Sequence, residues 1–232
     1  MAPGEFEMGT ASDRPGYFKD DQLHRVRITR AFEIGTHEVT QREWTAEMGS
    51  LPPGLQADAD LPVLGVSWTD AVAFCNRLSS RLDLPEAYRS DGDRWVASGE
   101  HGGFRLPTEA EWEFAARAAT DSPFAGGSDA LLVAWFAGSA GGRPRPVGSL
   151  GANALGLFDM SGNAAEWVWD VYQPYPSADV VDPRADEGGD RRVIRGGSYA
   201  DSEDKLRVTY RRAALPTDTP PTIGFRVARD AR

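Results

Sequence analysis

The chain has 232 residues, 41% of them apolar and 10% aromatic, enough to bury one substantial core without staples. Its single cysteine excludes an internal disulfide, a thiolate zinc site and a CxxC redox pair. A net charge of −10 gives no broad footprint for nucleic acid or anionic membrane, and no run approaches the roughly 18 apolar residues of a membrane helix.

Gly and Pro together make 41 of the 232 residues and are spread along the whole chain, which predicts a fold rich in loops. Phe6-Glu7-Met8-Gly9-Thr10 reads as a short strand entering a Gly turn. A polar loop follows from Asp13 to Asp21, and the alternation from Arg25 to Arg30 predicts a half-buried strand. Residues 31–35 and 37–40 continue as strand and turn. Thr40 then offers an N-cap, with Glu43 as capping-box partner, for a helix over Gln41–Met48. Ser67-Trp68-Thr69-Asp70 opens the strongest helix, in which Ala71, Phe74, Cys75, Leu78 and Leu82 share one apolar face. Cys75 on that face reads as a buried, inert thiol. Thr108 and Glu111 form a third capping box for a helix running to about Ala119. Residues 120–150 read as loop, and the remainder alternates short aromatic-rich runs with Gly turns. One irregular α+β domain over residues 1–232 is the expectation.

His24, His37 and His101 lack metal-ligand spacing, and no nucleophile elbow, phosphate loop or dinucleotide fingerprint is present. Nothing near Ser198 in Gly196-Gly197-Ser198 supplies a base, so that turn reads as a tight backbone passage. The segment Asn153–Trp167 is denser in chemistry. Asp159, Asn163 and Glu166 place three hard oxygen donors within eight residues, around a glycine that lets carbonyls turn inward. That composition suits either calcium or a hydrogen-bonded turn. Charge is also unevenly spread: residues 191–232 carry ten Lys/Arg against five Asp/Glu, while residues 1–190 carry 15 against 30. The basic segment serves either to tie loops internally or to bind an anion.

Seven motifs recur in order: FEMG (6–9), HEVT (37–40), PVLGVSWTD (62–70), FRLPTEAEWEFAAR (104–117), NALGLFDMSGNAAEW (153–167), RVIRGGSY (192–199) and IGFRV (223–227). Together they resemble the formylglycine-generating enzyme, or sulfatase-modifying factor, family over essentially the whole chain. The resemblance implies an irregular fold related to C-type lectins. It also implies a calcium site at Asp159, Gly162, Ala164 and Glu166, with a structural role. The oxidases of that family hold copper on two cysteines just after the Gly-Gly-Ser-aromatic motif and act on a Cys-x-Pro-x-Arg peptide. Asp201 and Leu206 stand at those two positions here, so no copper and no sulfatase activation are expected.

Three readings follow from the resemblance. In the first, the chain is a non-catalytic binding module whose substrate groove persists, lined by Tyr199, Asp201, Arg207, Tyr210 and Arg211. A peptide or protein ligand is favoured there, with a small anion or glycan as the alternative. Such domains are often joined to kinases, proteases or other signalling modules, which implies a sensor or docking part. In the second, the chain is an enzyme of different, non-copper chemistry. In the third, it is a variable ligand-binding protein of the type diversified by retroelements. The N-terminus shows neither a charged n-region nor an apolar h-region, so the expected location is the cytoplasm.

Overall fold

The computed structural model describes every residue except Pro15, Asp93 and Arg232. In chain order its elements are β1 (Gly4–Met8), β2 (His24–Ile28), β3 (Phe32–Ile34), α1 (Gln41–Met48) and α2 (Trp68–Arg81). There follow β4 (Tyr88–Asp91), β5 (Arg94–Ala97), α3 (Glu109–Arg117), α4 (Ala130–Val133), β6 (Ala165–Val171) and β7 (Val180–Val181). The chain ends through β8 (Arg192–Arg195), β9 (Arg211–Ala214), β10 (Ile223–Phe225) and β11 (Ala228–Asp230). Helix is 18% and strand 23%, so loops dominate as the Gly and Pro content predicts.

All three predicted capping boxes are present. Thr40, Ser67 and Thr108 each accept from the N3 backbone, and Glu43, Asp70 and Glu111 each reach back to the cap. α3 stops at Arg117, two residues short of the expected end, because Ala118 and Ala119 turn left-handed. Residues 37–40 form no strand. The β4–β5 hairpin and α4 are additions that the sequence reading lacked.

The central sheet runs β10-β6-β8-β9, with β10 parallel to β6 and the other pairs antiparallel. β6 is buried at every residue, so both of its faces meet protein. Trp167, Trp169 and Ile194 pack with Trp68 and Phe74 of α2, while Val168 and Val193 pack with Trp112 of α3. The indoles are also tied by hydrogen bonds: Trp68 Nε1 donates to Val168 O, and Trp167 Nε1 to Val66 O. Cys75 is fully buried among these residues, and burial raises its thiol pKa far above the ordinary value. Strand alternation leaves Glu166, Val168 and Asp170 on the α3 side of the sheet. Two carboxylates thus stand at opposite ends of one buried strand. Among the described residues, no helix is long and apolar enough to cross a membrane.

Candidate functional site

The segment before β6 is held in shapes that few residues adopt. Asp159 and Asn163 both have φ of 57°, the left-handed region that Asp and Asn tolerate best. Gly162 has φ of 86°, and a Cβ there would lie 2.3 Å from Trp135 O, so only glycine fits. These turns bring Glu166 against Arg226, just beyond β10. Arg226 grips the carboxylate in bidentate fashion, both contacts at 2.7 Å, and neither side chain is exposed. Trp112 Nε1 donates to the same carboxylate. Arg226 also donates to Gly35 O and Phe158 O, tying three remote segments.

Glu38, which sequence reasoning missed, completes this cluster. Its Oε1 accepts from Ala164 N at 3.0 Å, and its Oε2 is buried with no N–H donor among the described residues. Asp159 Oδ2 accepts from Gly148 N. Burial, then the charges of Asp159 and Glu166, push the Glu38 pKa well up; burial likewise raises Asp159. The Glu38 and Asp159 carboxyls lie close enough to share a proton when one of them is neutral. Fully ionised, three buried carboxylates face one guanidinium, an excess of two negative charges that a single divalent cation would balance. The donors are all hard oxygens, which calcium prefers. Among the described residues no three His, Cys, Asp or Glu side chains form a metal-binding group by themselves, so a cation here would draw on carbonyls as well. Asp159, Gly162 and Ala164 lie in the loop before β6 and Glu166 on β6 itself, where it already serves Arg226 and Trp112. Glu38, with an oxygen that no N–H group claims, is the better available side chain.

The second set of expected residues follows β8. Gly196 and Gly197 are both left-handed, and a Cβ on Gly197 would meet Lys205 O at 2.6 Å. This folds residues 198–206 into a tight loop. Asp201 is 8% exposed, and its Oδ2 accepts from the Ser198 backbone and, at 2.6 Å, from the Ser198 hydroxyl. Lys205 Nζ and Arg212 Nη1 stand 3.6 and 3.5 Å from its carboxylate. Leu206 is fully buried beside Phe124, Val133 and Phe136. The two positions to which the resemblance assigned the oxidases' thiolates are thus a tethered carboxylate and a core aliphatic. Ser198 donates its hydroxyl hydrogen bond to Asp201, so a carboxylate does stand beside it, contrary to the sequence expectation, but the hydroxyl is fully buried.

Only part of the expected groove assembles. Tyr199 is half-buried, its backbone fixed by Asn163 O, beside the half-buried Trp135 whose carbonyl accepts from Asn163 N. Ala137 N donates to Asp201 O, so the 135–138 and 199–201 loops share one surface. Tyr210 and Arg207 are half-buried; Arg207 reaches Gly16 O at 3.5 Å. Arg211 belongs to the interior instead. It forms a fork with Glu109, donates to Asp20 O and Gln173 O, and lies over the ring of Tyr175. The reason is strand alternation: Arg211 sits opposite Arg195 on the α3 face of the sheet. Its neighbour Arg212 emerges on the other face, next to Asp201, and takes the place that sequence reasoning gave to Arg211.

Residues 1–231 match the family described as the sulfatase-modifying factor enzyme 1-like domain. The chaperone protein LppX of Paenibacillus barcinonensis is 31% identical over 85% of this chain and 80% of its own. The formylglycine-generating enzyme of Streptomyces coelicolor is 33% identical over 78% of this chain and 57% of that protein. The serine/threonine-protein kinase Pkn1 of Chlamydia trachomatis is 32% identical over 99% of this chain, which spans 37% of the kinase. Among solved structures, Treponema denticola variable protein 1 superposes with a TM-score of 0.88 at 31% identity, covering all of this chain and 94% of its own. The fold is the irregular C-type-lectin-like one that the motifs imply, and the chain belongs to the sulfatase-modifying factor enzyme 1-like family.

Proposed function

We propose that this chain is a non-catalytic, ligand- or protein-binding member of its family, acting as a docking or sensing part. The observation that carries this reading is the pair Asp201 and Leu206. One is tethered to Ser198 and the other is buried in an apolar cluster, so neither offers a soft ligand to copper. Over them lies a surface of Tyr199, Trp135, Lys205 and Arg212. Aromatic rings supply contact area, and the two cations favour a carboxylate on the ligand. A peptide or protein segment suits this surface best. The full-length match inside a kinase supports a docking role within or beside a signalling protein.

Selection from a displayed peptide library tests the reading. Binders should carry an acidic residue next to an apolar one. Tyr199→Ala or Arg212→Ala should weaken them by about 2 kcal/mol, roughly thirtyfold, with melting little changed. Binders insensitive to both substitutions would overturn it.

Calcium enters the same proposal as a structural ion. Glu38 and Asp159, with the carbonyls of Gly162 and Ala164, would hold it beside the Glu166–Arg226 pair, closing the loop before β6. The likeness to Treponema denticola variable protein 1 favours a second reading, a variable ligand-binding protein. Related gene copies differing at surface positions of residues 199–212, beside a reverse transcriptase gene, would select it.

A further inference from the structure

Asp170 lies four residues along β6 from Glu166, roughly 13 Å at ~3.3 Å per residue. There a cavity of about 740 Å³ opens between β2, the first turn of α3 and the segment from Gln173 to Ala185. Its size falls within the ~300–1,000 Å³ range of small-molecule sites. Met8, Val171 and Val180 give it apolar walls.

The polar groups of this cavity accept more than they donate. His24 is 6% exposed, and its Nδ1 stands 3.1 Å from Gln22 O. A carbonyl can only accept, so that contact places a proton on Nδ1, and in the neutral ring Nε2 then keeps its lone pair. Nε2 has no partner among the described residues. Asp170 is buried and accepts backbone N–H groups of Glu109 and Ala185, with no ion pair among the described residues. Asp179 stands exposed at the rim, also without a partner among the described residues. By contrast, Glu109 and Arg211 satisfy each other. The Arg211 guanidinium already covers the Tyr175 ring at 3.8 Å, so that face is taken and the free acceptors are His24, Asp170 and Asp179.

We propose that this cavity is a binding site for a ligand group ending in an ammonium or guanidinium. The N–H donors of that group would meet His24 Nε2, its charge would meet Asp170 and Asp179, and its alkyl stem would lie on the apolar wall. The site is separate from the Tyr199 surface and stands without it. The shared chemistry has two sources, a free diamine or agmatine-like molecule and an Arg or Lys side chain of a partner.

The proposal carries a pH signature. Burial, then the neighbouring Glu109 charge, raises the Asp170 carboxyl to about 7. The titratable and charged groups around it are Glu109 and Glu111 from α3, Arg192 from β8, Arg211 from β9 and His24 from β2, with Asp179, Asp182 and Arg184 on the segment across the cavity. A bound cation favours the ionised form. That form rises from roughly a tenth of the population at pH 6 to nine tenths at pH 8, so affinity should rise about tenfold.

Calorimetric titration with agmatine and with a blocked Gly-Arg-Gly peptide, each against its neutral citrulline counterpart or urea analogue, tests this. Saturable one-to-one binding of a guanidinium probe, tighter at pH 8 and lost in the neutral analogue, is expected. Preference for one probe identifies the source. His24→Phe keeps the ring packed on Tyr175 and removes the acceptor; it should weaken binding at least tenfold, while the lost contact to Gln22 O costs about 1 kcal/mol of stability and leaves the protein folded. Asp179→Asn, at the exposed rim, should weaken it about threefold without touching the fold. No saturable binding of either probe at pH 8, or binding equal in both variants and the parent protein, would overturn the proposal.

Discussion

Replacing Glu38 by glutamine separates the ways in which the buried acid cluster can be neutralised. Gln Oε1 can still accept from Ala164 N, so the backbone contact at 3.0 Å is kept while one of the three ionisable carboxyls goes. The carboxylate lost is fully buried and faces Asp159 and Glu166, with only Arg226 in compensation. In chelator the substitution should therefore leave the melting temperature equal to the parent's or higher. With calcium one hundredfold above its dissociation constant, the parent should gain about 2.7 kcal/mol, roughly 5–11 °C for a chain of this length. Glu38→Gln, deprived of the carboxylate oxygen that no N–H group claims, should gain less than half of that. Scanning calorimetry on metal-stripped protein, with metal content measured before each run, gives both numbers. Identical parent curves with and without calcium would refute the ion and leave Arg226 and a shared proton to balance the cluster. A variant gaining as much as the parent would refute the part given to Glu38.

Other consequences are simpler to measure. Arg211→Met leaves Glu109 buried without its forked partner and should cost about 3–5 kcal/mol of stability in denaturant titration, whereas Arg207→Ala should stay within about 0.5 kcal/mol. Leu206→Ala should cost about 2–5 kcal/mol through the cavity it leaves among Phe124, Val133 and Phe136. Asp170 binds its proton more tightly folded, near pH 7, than unfolded, near the ordinary value of 3.8. Its contribution is thus greatest below pH 4 and declines as pH rises to about 7. Asp170→Asn should flatten the fall in urea midpoint between pH 5 and pH 8. It should also cost about 1 kcal/mol at the acid end, because an amide can accept only one of the two N–H groups.

Local signals carried much of the fold in the sequence. The capping boxes at Thr40, Ser67 and Thr108 need only four residues each, and α2 announces its buried face by spacing alone. Alternation from Arg25 onward located β2, with Val26 and Ile28 inward and Arg25 and Arg27 outward. The features that eluded sequence reasoning depend on pairing across long separations. Whether Arg211 or Arg212 points inward is decided by the register of β9 on β8, which a four-residue strand does not encode by itself. Glu38 meets Ala164 across 126 positions, so nothing in the HEVT segment alone links it to the Asp159 loop. The β4–β5 hairpin has one buried residue, Tyr88, on its first strand, too few for a period to show. The Asp201 and Leu206 positions were legible only through the family motif. Their packing, one tethered and one in the core, belongs to the structure.

The claim most exposed to a single measurement is that this family member binds without the oxidase chemistry. Titrating the purified chain with copper(I), then following oxidation of a Cys-x-Pro-x-Arg peptide by mass spectrometry, addresses it directly. The arrangement of Asp201, Ser198 and Leu206 predicts no stoichiometric copper and no aldehyde product, whether or not the peptide is retained on the Tyr199 surface. One equivalent of bound copper with peptide turnover would contradict the account.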